Sequence, residues 1–304
     1  MRARLRSLIA ALGLLGLLAG CAAPQEQARG GCPTRQLADL PAEVGEAGVL
    51  VPVTVNGNRL TLKLDTGASG LALLSTEGAR RAGVQAAAGE ARPHWGLSGR
   101  NQTETAQGVT VALAGLLPRT GPVALAPAAG SGMLGEGVLG VAAFAGHDVE
   151  IDPREGRVRF HAVPPDCTRL VPFATPYAAI PLLPGPAGLV YVPMRLDGGQ
   201  VLALLDTGAN GTLLLDPGID RLGLRERVAA AGPSGIARDW SGNSLPGVTL
   251  TFQEVMIGPA RARNRQIPYV AAPMRIADAI LGRDYLLARR IWISYATMTL
   301  FILR

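Results

Sequence analysis

Leu60-Thr61-Leu62-Lys63-Leu64-Asp65-Thr66-Gly67-Ala68 and Val201-Leu202-Ala203-Leu204-Leu205-Asp206-Thr207-Gly208-Ala209 lie 141 residues apart in a chain of 304. Each is an apolar run that ends in Asp-Thr-Gly-Ala. One Asp-Thr-Gly carries little information, because strand-ending turns favour those residue types. Two copies with matched flanks point to a duplicated domain that brings two carboxylates together. Upstream, Val51, Val53 and Val55 alternate with polar or small neighbours, and Asn56-Gly57 is a type I′ hairpin signal. The same offset carries Pro52 to Pro193, Leu64 to Leu205, and Asn56-Gly57 to Asp197-Gly198. Each repeat therefore reads as strand, tight turn and strand, with the second strand delivering the Asp. Downstream, apolar runs at 71–74 and 212–215 lead into short helical stretches at 75–84 and 216–224. Ser75 and Asp216 are the expected N-caps.

The repeats match again near their ends, now offset by 142: Val138-Leu139-Gly140 against Ile280-Leu281-Gly282, continuing to Phe160 and Ile302. The middles, 85–135 and 225–275, have diverged. Short alternating strands punctuated by Gly and Pro, with little helix, place the chain in the all-β class. The expected organisation is a first domain at 46–162, a Pro-rich linker at 163–188 and a second domain at 189–304, each of ordinary domain size.

The first residues read as export machinery. Arg2, Arg4 and Arg6 precede the apolar stretch 8–18, too short for a comfortable membrane span. Leu18-Ala19-Gly20-Cys21 follows, so 1–20 reads as a signal peptide. Its end resembles the bacterial lipobox, which implies acylation of Cys21 and a lipid-bilayer anchor. Ala22 after that Cys favours the outer membrane, facing the periplasm. Residues 21–45, rich in Ala, Pro, Gln and Gly, read as a flexible tether. Loss of three Arg with the signal peptide lowers the formal charge from +6 to +3. No basic cluster interleaved with aromatics suggests nucleic acid. The Arg261-Arg263-Arg265 and Arg289-Arg290 runs read as solvated faces or strand edges. Cys32 and Cys167 stand in similar wording before the two repeats, and export places them where disulfides persist, so a disulfide between them is expected. The His residues, 94, 147 and 161, show no ligand spacing, and no metal site is expected.

Two carboxylates close enough to share a proton cannot both ionise comfortably, so one pKa falls and the other rises. One can then act as general base on a water while the other, protonated, acts as general acid towards a carbonyl. Asp65 and Asp206 are the candidates. Gly67 and Gly208 would allow a tight turn and a close approach, and the Thr66 and Thr207 hydroxyls can hydrogen-bond across the pair.

These residues, with Ile280-Leu281-Gly282-Arg283-Asp284, resemble the retropepsin-like and pepsin-like aspartyl peptidases, in particular exported bacterial proteins with tandem retropepsin-type domains. The resemblance covers both repeats. It implies two β-barrel domains in a pseudo-two-fold bilobal unit, peptide or protein substrates and no cofactor. The function it implies is an aspartic endopeptidase of the bacterial cell envelope; the alternative is a non-catalytic peptide-binding or envelope interaction protein on the same scaffold. The short linker favours pairing of the repeats within one chain, a monomeric pseudo-dimer, over a homodimer. The family's flaps imply covering hairpins here, with Trp95 and Gly99 in one repeat and Trp240 and Gly242 in the other. Two departures stand out. The first repeat has Gly140-Val141-Ala142 in place of Gly-Arg-Asp. Ser69 and Asn210 occupy positions where many relatives carry an Asp that pairs with the motif's Arg, which leaves Arg283 to turn to Asp284 or to a carbonyl.

Overall fold

The computed structural model describes residues 31–86, 91–128 and 134–304. Alternation builds its strands as the sequence suggests. Val49, Val51, Val53 and Val55 point inward from strand Gly48–Val55, and Leu60, Leu62 and Leu64 from strand Asn58–Leu64. The turn between them has positive φ at both central residues, 49° at Asn56 and 82° at Gly57, as type I′ geometry demands. Asp197 and Gly198 repeat it at 48° and 89° between Val190–Leu196 and Gly199–Leu205.

Each repeat curls into an eight-stranded barrel with the same strand order. In the first, the order is Glu43–Gly45, Gly48–Val55, Asn58–Leu64, Gly137–Leu139, Ala72–Leu74, Arg119–Leu125, Gly99–Ala112 and Ala91–Gly96. It closes where Thr54 and Val55 pair with Ala112 and Val111. In the second lobe the closure is Met194 to Leu196 against Ile257 to Val255. The Asp-bearing strand in each lobe is flanked by a parallel partner from the repeat's end: Leu64 pairs with Leu139, and Leu205 with Leu281.

A six-stranded sheet joins the lobes, three strands from each, in the order Arg35–Pro41, Arg157–Ala162, Asp148–Asp152, Ile291–Ser294, Thr299–Leu303, Tyr177–Pro181. At its centre Val149 pairs with Ile293, Glu150 with Trp292 and Ile151 with Ile291. Since 292 is 150 advanced by the repeat offset of 142, the pseudo-two-fold axis runs through the Glu150–Trp292 pair. Equivalent strands meeting antiparallel is the isologous contact of a two-fold dimer, here made within one chain.

This sheet corrects three expectations. Residues 35–45 are not tether: Arg35–Pro41 is an edge strand paired to Arg157–Ala162, with Ala38 and Leu40 buried, and Glu43–Gly45 pairs with Gly48–Leu50. The linker likewise holds strand Tyr177–Pro181 on the opposite edge, and its Leu170 and Phe173 pack on Trp292 and Phe301. Such strands show little pattern because their backbone partners lie more than a hundred residues away and only a residue or two faces the core. Arg290 is not on a solvated face either. Its guanidinium donates to Glu150 Oε1 (Nε at 2.7 Å, Nη2 at 2.5 Å). Arg159 Nη1 donates to the same oxygen at 3.0 Å, and His161 Nε2 to Oε2 at 2.9 Å.

The helix at Thr76–Ala82 is capped by Ser75, whose hydroxyl accepts from Gly78 N at 3.0 Å. In the second repeat Leu215, not Asp216, is the cap of Asp216–Leu222. Tyr269 Oη and Arg225 Nη1 each donate to the Asp216 carboxylate at 2.8 Å, which draws it off the helix end. Cys32 and Cys167 are joined by a disulfide, Cα atoms 5.6 Å apart, beside the sheet that unites the lobes. Cys21 and the signal segment 1–20 lie outside the described residues.

Candidate active site

The two Asp-Thr-Gly turns meet on the pseudo-two-fold axis. Each Asp leaves its strand with its amide still bonded to the flanking parallel strand, Asp65 N to Leu139 O at 3.0 Å and Asp206 N to Leu281 O at 3.1 Å. The Thr side chains then cross over. Thr66 N donates to Thr207 Oγ1 (3.1 Å) and Thr207 N to Thr66 Oγ1 (3.0 Å). Thr66 Oγ1 donates to Leu205 O (2.9 Å) and Thr207 Oγ1 to Leu64 O (2.8 Å). Both Thr are fully buried, and each hydroxyl both donates and accepts, so the four bonds form a closed set.

This grip sets the carboxyls side by side, hydrogen-bonded to one another. Gly67 N donates to Asp65 Oδ1 at 2.8 Å; Gly208 N and Ala209 N donate to Asp206 Oδ1 at 2.8 and 2.9 Å. A Cβ on Gly67 would run into the Asp206 carboxyl, and one on Gly208 into that of Asp65. Only glycine permits this approach. Burial raises the pKa of both groups; the neighbouring Asp65 charge raises Asp206 further, well above its ordinary value. The pair therefore holds one proton over a range in which a lone Asp would be ionised.

The apolar-apolar-Gly segments brace these turns from beneath. Val141 N donates to Ala68 O at 2.8 Å and Arg283 N to Ala209 O at 3.1 Å. A side chain at Gly140 would strike the carbonyls of Ala68 and Gly70, and one at Gly282 the backbone of Gly211. Arg283 resolves its open choice in favour of a carbonyl: Nη2 donates to Glu46 O across the lobe interface. Asp284 instead accepts from Thr212 N (2.9 Å) and Thr212 Oγ1 (2.8 Å).

Two hairpins reach towards each other. One turns at Leu97-Ser98 between Ala91–Gly96 and Gly99–Ala112; the other turns at 239–243 between Gly235–Arg238 and Ser244–Ile257. Their tips are bonded together: Ser98 N donates to Asp239 Oδ2 at 3.0 Å, the Ser98 hydroxyl donates to the same oxygen, and Asn243 Nδ2 donates to Ser98 Oγ at 3.1 Å. Asp239 Oδ1 accepts from Ser241 N (3.0 Å) and Ser241 Oγ (2.6 Å). Each tip also crosses to the other lobe. Trp240 packs against the first lobe's cluster of Ala126, Leu134 and Val138, and Leu97 joins the second lobe's cluster around Leu204 and Ile280. Trp95 lies on the strand before the first tip, paired with Arg100; Gly99 opens the returning strand at φ +99°, and Gly242 closes the second turn at φ +86°.

The sequence places Ser98 within the first covering hairpin, between Trp95 and Gly99, but assigns it no partner, and sequence reading missed Asp239 and Asn243. Asp239 next to Ser241 and Asn243 carries an Asx-turn signature, and Ser98 and Asp239 stand at the repeat offset of 141. That register was legible once the middles were not dismissed as diverged. Among the described residues, no His, Cys, Asp and Glu group could hold a metal ion.

The aspartyl protease family model matches residues 51–143, and that described as "gag-polyprotein putative aspartyl protease" matches residues 192–288. A search of curated protein sequences found no match. Solved structures similar to this chain include an aspartic proteinase from Irpex lacteus, at 14% identity over 89% of this chain and 97% of that one, TM-score 0.46. Basic 7S globulin from soybean is similar at 11% identity over 89% and 95%, TM-score 0.41. A retropepsin-like aspartic protease from Rickettsia conorii is similar at 14% identity over 42% of this chain and 99% of that one, TM-score 0.33. One aspartyl protease match falls on each Asp-Thr-Gly lobe, and together they span more than half of the sequence: the chain belongs to the retropepsin-like aspartic peptidases.

Proposed function

We propose that the chain is an aspartic endopeptidase of the bacterial cell envelope, with Asp65 and Asp206 as its catalytic pair. The observation that carries this reading is the hydrogen-bonded carboxyl pair, held by reciprocal Thr66–Thr207 bonds with one proton to share. The ionised member of the pair takes a proton from a water lying between the carboxyls. The water oxygen bonds to the scissile carbonyl carbon while the protonated member gives its proton to the carbonyl oxygen, leaving a gem-diol. As a diol hydroxyl returns its proton to the member that gave one up, the proton taken from water passes from the other carboxyl to the amide nitrogen and the C–N bond breaks. The pair ends as it began, with one proton. Ser98 and Asp239 at the hairpin tips would part to admit a peptide and close over it, which excludes water.

Location follows from Cys21. The lipobox-like Leu-Ala-Gly-Cys and the disulfide between Cys32 and Cys167 both suit an exported, lipid-anchored protein. Only the short stretch 22–34 separates Cys21 from the first strand, so the lobes would work close to the membrane surface, as a monomer.

The decisive experiment digests a proteome-derived peptide library with wild type, Asp65→Asn and Asp206→Asn. Each single change is expected to abolish cleavage, and in fractionated cells Cys21→Ser should move the activity from membrane to soluble fraction. A single Asn variant that cleaves like wild type would rule out the shared pair. Peptide binding that survives in the Asn variants, with no cleavage by wild type at any acidic to neutral pH, would favour a binding protein instead.

A further inference from the structure

The two cleft walls beside the carboxyl pair are built from equivalent positions but differ in charge. In the second lobe Leu204, two residues before Asp206, is buried in an apolar cluster with Leu189, Tyr191 and Ile280, capped by Leu97 from the opposing hairpin. The repeat offset carries Leu204 to Lys63, the only lysine of the chain. Lys63 pairs across the sheet with Leu50 and Val138, the counterparts of Tyr191 and Ile280. Val138 belongs to the wall cluster on which Trp240 of the second hairpin rests. The counterpart of Leu189 is Gly48, and the Lys63 stem occupies the space its missing side chain leaves: a Cβ there would lie 3.1 Å from Lys63 Cγ and Cδ. A Leu–Leu contact in one wall is thus a Gly–Lys contact in the other, which seats a cation in a place built for an apolar side chain.

That cation is half-buried and lacks a close counter-ion. Among the described residues no carboxylate lies within ion-pair distance of Lys63. The charges that act on it are Asp65 and Asp206, which favour the ammonium, and Arg283, which opposes it. Arg283 is itself under-satisfied: Nη2 has the Glu46 carbonyl, while Nη1 is buried without a hydrogen-bond partner. Burying an unpaired charge is costly unless something completes it, and Lys63 stands on the strand that delivers Asp65, two residues before it.

We propose that Lys63, backed by Arg283, is a specificity residue that takes a carboxylate side chain of the substrate, so that the peptidase prefers an Asp or Glu beside the cleaved bond on the side facing the first lobe. This rests on the cleft reading above. A Glu or Asp there would form with Lys63 the ion pair that the free protein lacks. The second lobe's wall, with Leu204 in place of Lys63, would take an apolar side chain, giving the two halves of the site opposite tastes.

The test measures kcat/KM on matched peptides that differ only by Glu, Gln, Lys or Arg at each position flanking the bond, for wild type, Lys63→Leu and Lys63→Glu. Wild type should favour Glu over Gln at one position on the order of tenfold, the worth of a partly shielded ion pair. Lys63→Leu should bring that ratio to about one, and Lys63→Glu should turn the preference to Lys or Arg. A ratio taken within one variant cancels any loss of folded enzyme. Binding of the same peptides to Asp65→Asn, alone and combined with Lys63→Leu, repeats the comparison without cleavage, so failure of the catalytic reading stays distinguishable. An equal Glu and Gln response in wild type, or a Glu preference that persists in Lys63→Leu, overturns the proposal.

Discussion

At the scale of single residues, the site depends on hydroxyls that donate and accept at once. The Thr207 hydroxyl accepts from Thr66 N and donates to Leu64 O, both buried. Thr207→Val keeps the shape and strands a donor and an acceptor at once; at about 1–3 kcal/mol for each buried unsatisfied group, a loss of roughly 2–6 kcal/mol is expected in urea unfolding. Thr207→Ser should recover most of it, and a Val variant as stable as wild type would show that the grip contributes little. The Asp and Thr positions were readable because each motif occurs twice. Lys63 was not, because a lone lysine in a strand is ordinary until its repeat-mate Leu204 is seen inside an apolar wall.

At the scale of elements, one carboxylate organises the polar contact between the hairpin tips, taking both bonds that the Ser98 amide and hydroxyl donate across it. Burial alone would raise the pKa of Asp239, but hydrogen bonds from Ser241 and Ser98 outweigh it and keep the group below its ordinary value, ionised and strongly accepting. Asp239→Ala removes every bond it makes to Ser98, Ser241 and Asn243. The tips should then open more often: amide exchange at 96–99 and 240–243 should speed by about tenfold or more if the latch is worth some 1.4 kcal/mol, with KM rising more than kcat falls. Exchange at wild-type rates would mean the apolar contacts of Leu97 and Trp240 close the cleft by themselves. The hairpins themselves were legible as Trp and Gly about thirty residues past each Asp. Their mutual bond was not, because it joins two tips whose contact depends on both barrels being folded and docked.

At the scale of the whole molecule, the lobes are joined by a sheet whose central pair, Glu150 and Trp292, lies on the pseudo-two-fold axis. Burial opposes ionisation of Glu150, but the His161 hydrogen bond and the charges of Arg290, His161 and Arg159 prevail and hold its pKa below 4.5. A carboxylate whose pKa is depressed by folding contributes stability that is complete above its ordinary value and is lost as pH falls through the folded value. Stability should therefore decline below about pH 4.5, through this group among others. Glu150→Gln should cost about 1–3 kcal/mol at pH 7 through the charged hydrogen bonds it weakens, since Arg159 keeps Asp39 and Glu155 and Arg290 keeps Asp152, and should flatten that acid decline. Urea unfolding at pH 7 and pH 3 checks both; an equal slope in variant and wild type would place the acid-sensitive group elsewhere.

The sequence by itself determined the duplication, the barrel-forming alternation, the I′ turns and the identity of the paired carboxylates. These are local patterns repeated at one offset, and local patterns follow directly from side-chain periodicity and turn chemistry. Only the tertiary structure decided that 35–41 and 177–181 are strands, that Arg290 is drawn inward to Glu150, that Arg283 chooses a carbonyl over Asp284, and that Ser98 meets Asp239. Each of these is a bond between groups distant in the chain, and what a side chain or strand edge bonds to depends on which neighbour the docked lobes bring within reach.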